Sequence, residues 1–184
     1  MSARNAAPGR LEVVRALLNT WLIPNDIRVG VDRLADLAVD VAAWRDAVPG
    51  LPRPRTPTDL ADLARTRDAL RSALGGPPGG LQELFDAHPV RVVVVPGGTE
   101  LVATDPADPA AVAAAIVAGA VGDGTWPRLK ACPDCRWVFF DHSRNRTKVW
   151  CGMVADDANG RSCGSIAKVQ AYRRRQADST KPVR

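Results

Sequence analysis

From Leu11 onward the apolar positions Leu11, Val14, Leu17, Leu18 and Trp21 recur at helical spacing, and Pro24 closes the segment. A second helix is predicted between Asp32 and Val48, with Leu34, Leu37, Val41 and Trp44 as its buried stripe. Pro49 to Pro57 holds four prolines and a glycine, so it reads as a non-helical connection. Thr58-Asp59 is the candidate cap of a third helix that runs to about Leu74 through Leu60, Leu63 and Leu70. Gly75-Gly76-Pro77-Pro78-Gly79-Gly80 breaks it, and a short helix, Leu81 to Ala87, follows. The character then changes. Val90 to Val95 is β-branched, Pro96-Gly97-Gly98 is turn chemistry and Thr99 to Ala103 resumes as a strand, which together predict a β-hairpin. Asp108 caps a further helix with Pro109 at its first position, and Gly122-Asp123-Gly124 ends it. Residues 1–9 carry no such pattern and are expected to be disordered, and no repeat of period 20–50 is visible.

These elements divide the chain into an α-rich first domain with one hairpin, residues 1–125, and a second module, residues 126–184. The first is expected to fold on its own core. Charge sharpens the division. Residues 128–184 carry 13 Lys/Arg against 5 Asp/Glu, a net +8, whereas residues 1–127 carry 12 against 15, a net −3. A positive field confined to one module is expected where that module meets phosphates. The start of the chain lacks the apolar run of about 7–15 residues that follows the charged start of a signal peptide. The longest apolar stretch, Pro109 to Val121, is shorter than the roughly 20 residues that span a bilayer. The protein is therefore expected in the cytosol and away from membranes, where thiols stay reduced.

All four cysteines lie in one stretch: Cys132 and Cys135 as a C-x2-C knuckle, then Cys151, then Cys163. Four clustered thiolates in a reducing compartment suit one tetrahedral structural Zn2+. A thioredoxin-type pair would need a βαβ setting, and none precedes Cys132. Four protein ligands leave no open position for water, so the metal is not expected to be catalytic. His142 lies between the cysteine pairs, but the thiolates already close the shell. Asp141-His142-Ser143 cannot build a triad from adjacent residues, and His88 reads as structural. No clustered acids or histidines and no Gly-rich phosphate loop mark an enzyme site in the first domain.

Trp137 and Phe139 alternate with Val138 and Phe140, so one pair is placed to pack on the knuckle. Ser143 to Lys148 supplies Arg144, Arg146 and Lys148 among short polar residues, which suits either phosphate contacts or a solvated loop. Ser165 to Arg175 reads as a helix with Ile166 and Val169 inward. Lys168 and Arg175, with Tyr172 beside them, lie outward, and Arg173 and Arg174 fan to the flanks.

The residues from Leu129 to Arg173, through Cys132, Cys135, Trp137, Phe139, Asp141, Ser143-Arg144-Asn145, Trp150-Cys151, Cys163-Gly164 and Ala167-Lys168-Val169, together resemble the CGNR zinc finger. In that family the finger follows an α-rich domain called ABATE, whose Asn-Thr signature Leu17-Leu18-Asn19-Thr20 resembles. The resemblance implies four cysteine zinc ligands and a bacterial stress-induced transcription regulator. Two departures stand out. The name-giving Cys-Gly-Asn-Arg reads Cys163-Gly164-Ser165-Ile166, which removes a cation, and the gap before Cys163 is expanded to Gly152–Ser162, expected to be a polar surface loop.

The expected fold class is α+β, mainly α: an α-rich N-terminal domain with one β-hairpin, then a small zinc-ribbon-like finger with a C-terminal basic helix. The expected function is DNA-binding transcription regulation, with duplex DNA met by Arg144, Arg146, Lys148, Lys168, Arg173, Arg174 and Arg175. The alternative is a protein–protein adaptor of the transcription machinery that docks an acidic surface. The N-terminal domain is a candidate for a small-molecule effector near Asn19 and Thr20 or for homodimerisation. A helix cap or a hydrogen bond is the preferred reading of those two residues.

Overall fold

The computed structural model describes residues 5–24, 27–76, 78–153 and 162–179. Helix α1 (Leu11–Leu18) is shorter than its periodicity suggests, because Trp21–Leu22 leaves it as a strand, β1, paired antiparallel with β2 (Val31–Asp32). Two residues per strand give no period to detect, so this second ribbon was not foreseen. The predicted second helix is two, α2 (Leu34–Val39) and α3 (Val41–Ala47). Asp40 between them is extended, and its carboxylate accepts from the Ala42 and Ala43 N–H groups. That break turns Val41 outward, 53% exposed, while Leu34, Leu37 and Trp44 stay buried.

Helix α4 (Pro57–Ser72) starts one residue before Thr58. Its cap is Thr56, whose Oγ1 accepts from Asp59 N at 3.1 Å while Asp59 Oδ2 accepts from Thr56 N at 3.1 Å. Helix α5 (Gln82–Ala87) leads into β3 (Val90–Val95) and β4 (Gly98–Ala103), with Gly97 at φ 91 in their turn. Helix α6 (Pro109–Gly122) is capped by Asp108 as expected. It is alanine-rich and apolar all round, and so it is central: Ala110 to Val117 are all buried, with α1, α4, α5 and β4 packed about it. His88 pins three of these elements. Its ring nitrogens lie 3.6 Å from Asp62 on α4 and 3.9 Å from Asp108 at the start of α6.

A 3₁₀ turn (Trp126–Arg128) carries the chain into β5 (Leu129–Ala131), which pairs antiparallel with β6 (Val138–Phe140). Helix α7 (Cys163–Ser179) follows. The fold is α+β, with three two-stranded antiparallel sheets among the described residues. Its main core does not stop at residue 125. Trp126, Leu129, Val138 and Phe140 are 0–4% exposed and belong to the same apolar cluster as Leu17, Leu63 and Val117. Residues 5–9 also take part, with Asn5 and Ala7 buried, so the expected disorder there does not hold. The Gly152–Ser162 segment lies largely outside the described residues. No helix among the described residues is long and apolar enough to cross a membrane.

Candidate metal centre

The knuckle is a tight turn. Cys132 N donates to Trp137 O and Arg136 N to Cys132 O, each at 2.9 Å, so Cys132 and Cys135 are folded back onto one another. Arg136 closes the turn at φ 60, a left-handed conformation that costs a non-glycine residue about 1 kcal/mol. Cys151 comes from the loop after β6, and Cys163 is the first residue of α7. Gly164 allows the helix to start there. Its N–H donates to Gly152 O at 2.9 Å, and a Cβ would stand 3.2 Å from that carbonyl and 2.1 Å from Met153 Sδ. Ser165 Oγ donates to Met153 O, closing the same corner.

All four cysteines are free and buried, and their sulfurs lie within 4.8 Å of one another. Cys135 and Cys151 sulfurs are 3.5 Å apart, and those of Cys151 and Cys163 are 3.8 Å apart. A disulfide would bring two sulfurs to about 2.05 Å. A tetrahedron of Zn–S bonds about 2.3 Å long has edges of ~3.8 Å, which these separations match. Without a cation the cluster resists charging. Hydrogen bonding to the sulfurs of Cys132 and Cys135, with burial, pushes the Cys151 thiol up, and burial beside Asp134 pushes Cys163 up. Cys132 moves the other way, its thiolate favoured by the Cys135 and Cys151 thiols. A divalent ion removes the conflict by binding all four as thiolates.

Residues 128–176 match the CGNR zinc finger family. One structural zinc ion on Cys132, Cys135, Cys151 and Cys163 fits both that finger and the geometry. No curated protein matches the chain. His142 is no part of the cluster: it is exposed, with its Nε2 at 2.8 Å from Ala6 O and its ring against Phe140.

Strand β6 is buried on both faces and joins two cores. Phe139, with Trp137 and Trp150, packs on the cysteines, while Val138 and Phe140 enter the main core. The main chain of Val138 is held by α1 and the residue after it. Asn19 Oδ1 accepts from Val138 N at 2.7 Å and Asn19 Nδ2 donates to Val138 O at 2.9 Å, so the side-chain amide acts as a neighbouring strand. Arg15, 2% exposed, donates to the same carbonyl and pairs with Glu12. Thr20, the other half of the Asn-Thr pair, donates to Leu17 O and accepts from Arg67. Hydrogen bonding is thus what Asn19 and Thr20 do. The partner was hidden by a separation of 119 residues.

Asp141 organises the loop of the CGNR finger. It is 0% exposed and accepts from Lys130 Nζ at 2.7 Å, from Ser143 N and Oγ, and from Lys148 N. Burial pushes its carboxyl up, but Lys130 and Ser143 outweigh burial and hold it at about 2. Asp141 entered the sequence reading only as a discarded triad member and a matched family position, and Arg15 and Arg71, with Lys130, read there as further charges.

The seven cations expected at a nucleic-acid surface are placed unequally. Arg144 and Arg146 are exposed on the loop after β6, and Lys168, Arg173, Arg174 and Arg175 are exposed on α7. Lys148 is turned inward, with its Nζ at 2.7 Å from Asn5 Oδ1 and 5.0 Å from the Phe139 ring centroid. Val169 was expected to face inward but is 49% exposed, and Tyr172 is 57% exposed. Helix α7 is anchored at its start by Cys163 and Gly164, and residues Lys168 to Gln176 are exposed.

Proposed function

We propose that this protein is a DNA-binding transcription regulator, in which a zinc-held finger presents α7 and the Arg144–Arg146 loop to duplex DNA. The α-rich part would act as an ABATE-like sensing or dimerising module. The observation that carries the reading is the start of α7 on a zinc ligand. A cationic helix fixed at one end by Cys163 and exposed from Lys168 to Gln176 has its charge aimed, whereas a loose basic tail does not. Arg144, Arg146, Lys168, Arg173, Arg174 and Arg175 are the phosphate donors in this reading, and Lys148 holds the finger together.

Each neutralised phosphate contributes about −0.9 to the slope of log affinity against log salt. Replacing Arg174 and Arg175 by alanine is expected to weaken binding to a duplex and flatten that slope by up to about two units. Affinity that ignores both salt and the arginine pair would overturn the reading. Val169 and Tyr172, exposed three residues apart, favour a second one: an adaptor that docks an acidic protein surface through an apolar centre and a cationic rim. Tyr172→Ala separates the two, since it is expected to spare DNA affinity and to abolish an adaptor contact.

A further inference from the structure

The seam between α4 and the zinc knuckle is a cleft of about 370 Å³ lined by Trp21, Asp32, Arg67, Asp68, Arg71 and Arg136. A second lobe of about 450 Å³ shares Arg71, Ser72, Ala131 and Arg136 with it and adds Lys130 and Lys148. The carboxylates are already committed. Arg67 takes both oxygens of Asp32, at 2.6 and 2.7 Å, and Asp68 through its Nε at 2.9 Å. Arg71 and Arg136 are left without an acid among the described residues. Arg71 is half-buried, with its guanidinium 4.6 Å from the Trp21 ring centroid. It donates only to neutral carbonyls, those of Leu18, Trp21 and Arg136. Those bonds use Nη1 and Nη2, and among the described residues Nε–H meets no acceptor.

Two further facts point to an anion. Burial, with the like charges of Arg67 and Arg136, pushes Arg71 down to about 10 despite the nearby Asp68 and Asp32. Arg136 occupies a left-handed position at φ 60, where glycine or asparagine is the easier residue, and its exposed side chain lines both lobes. We propose that this cleft binds the phosphoryl group of a small metabolite, clamped between Arg71 and Arg136 with the body of the ligand against Trp21. A phosphate monoester carries about −1.5 to −2 charges at neutral pH, which matches two guanidiniums that lack an ion-pair partner better than a carboxylate does. Because Arg71 stands on α4 and Arg136 closes the knuckle, an occupied cleft ties the helical part to the finger. The inference does not depend on DNA binding.

The test uses the full zinc-loaded chain, titrated with inorganic phosphate at constant ionic strength and followed by calorimetry and tryptophan fluorescence. Acetate is the control. Phosphate is expected to give a saturable response that acetate does not. Arg136→Asn keeps a residue that tolerates the left-handed turn and is expected to weaken phosphate by about tenfold or more while leaving zinc content unchanged. Arg71→Lys keeps the charge but not the fork, and a comparable loss is expected. A phosphate response no different from acetate, or one untouched by Arg136→Asn, would overturn the proposal. So would displacement of phosphate by a duplex oligonucleotide, which would make the cleft part of a nucleic-acid surface instead.

Discussion

Strand β6 separates two cores that are stabilised by different means. On one face, Val138 and Phe140 join a cluster that runs from Leu11 to Val117, large enough to rest on apolar area alone. On the other, Phe139 packs on four cysteines with Trp137 and Trp150, an assembly far too small to fold without its ion. The difference shows where the chain can tolerate change. The large core draws on many residues and loses stability in increments. The small one depends on a single tetrahedron, yet it fixes where α7 begins.

Removing the shared strand is expected to have the largest effect. A chain ending at Gly124 loses Trp126, Leu129, Val138 and Phe140 from the main core, each worth about 2–5 kcal/mol if merely truncated to alanine. The sum, about 8–20 kcal/mol, is as large as the whole stability of an ordinary domain, so cooperative unfolding in urea is expected to disappear. A sharp transition in the shortened chain would show that the helical part stands alone after all. Asn19→Ala comes next. It orphans the Val138 N–H while Arg15 still serves the carbonyl, for an expected loss of about 1–3 kcal/mol, read as a lower urea midpoint at unchanged zinc content.

The smallest effect concerns Asp141. Its folded pKa of about 2 lies below the ordinary aspartate value of 3.8, so its contribution is complete above pH 3.8 and fades as pH falls toward 2. About 2 kcal/mol of stability is expected to vanish across that window, and Asp141→Asn is expected to flatten it. An acid limb unchanged in Asp141→Asn would mean that the Lys130–Asp141 pair is not what holds the loop.

Much of this was legible in the sequence because it is local. The C-x2-C knuckle, the two later cysteines, the Asp108-Pro109 start of α6 and the alternation of residues 137–140 are each set by neighbours within a few positions. What was missed depends on distance or competition. Asn19 finds its partner on β6, and Arg71 finds Arg136, through folding alone. The predicted helix from Asp32 to Val48 broke because Asp40 caps Ala42 and Ala43 better than it continues a turn, and Val41 was displaced with it. Lys148 reads as a surface cation until Asn5 and Phe139 are seen beneath it.

The central claim is that zinc on Cys132, Cys135, Cys151 and Cys163 is the joint that holds α7 to the rest of the molecule. Hydrogen exchange followed with and without a zinc chelator tests it most directly, with Cys151→Ser as the covalent counterpart. The protein as isolated is expected to carry one zinc per chain. On its removal, amides of α7 and of residues 132–136 are expected to lose protection, while those of α6 remain slow, because Val138 and Phe140 can still fill the main core. Slow exchange in α7 after the metal has gone, or protein that carries no zinc and protects α7 equally well, would contradict the account.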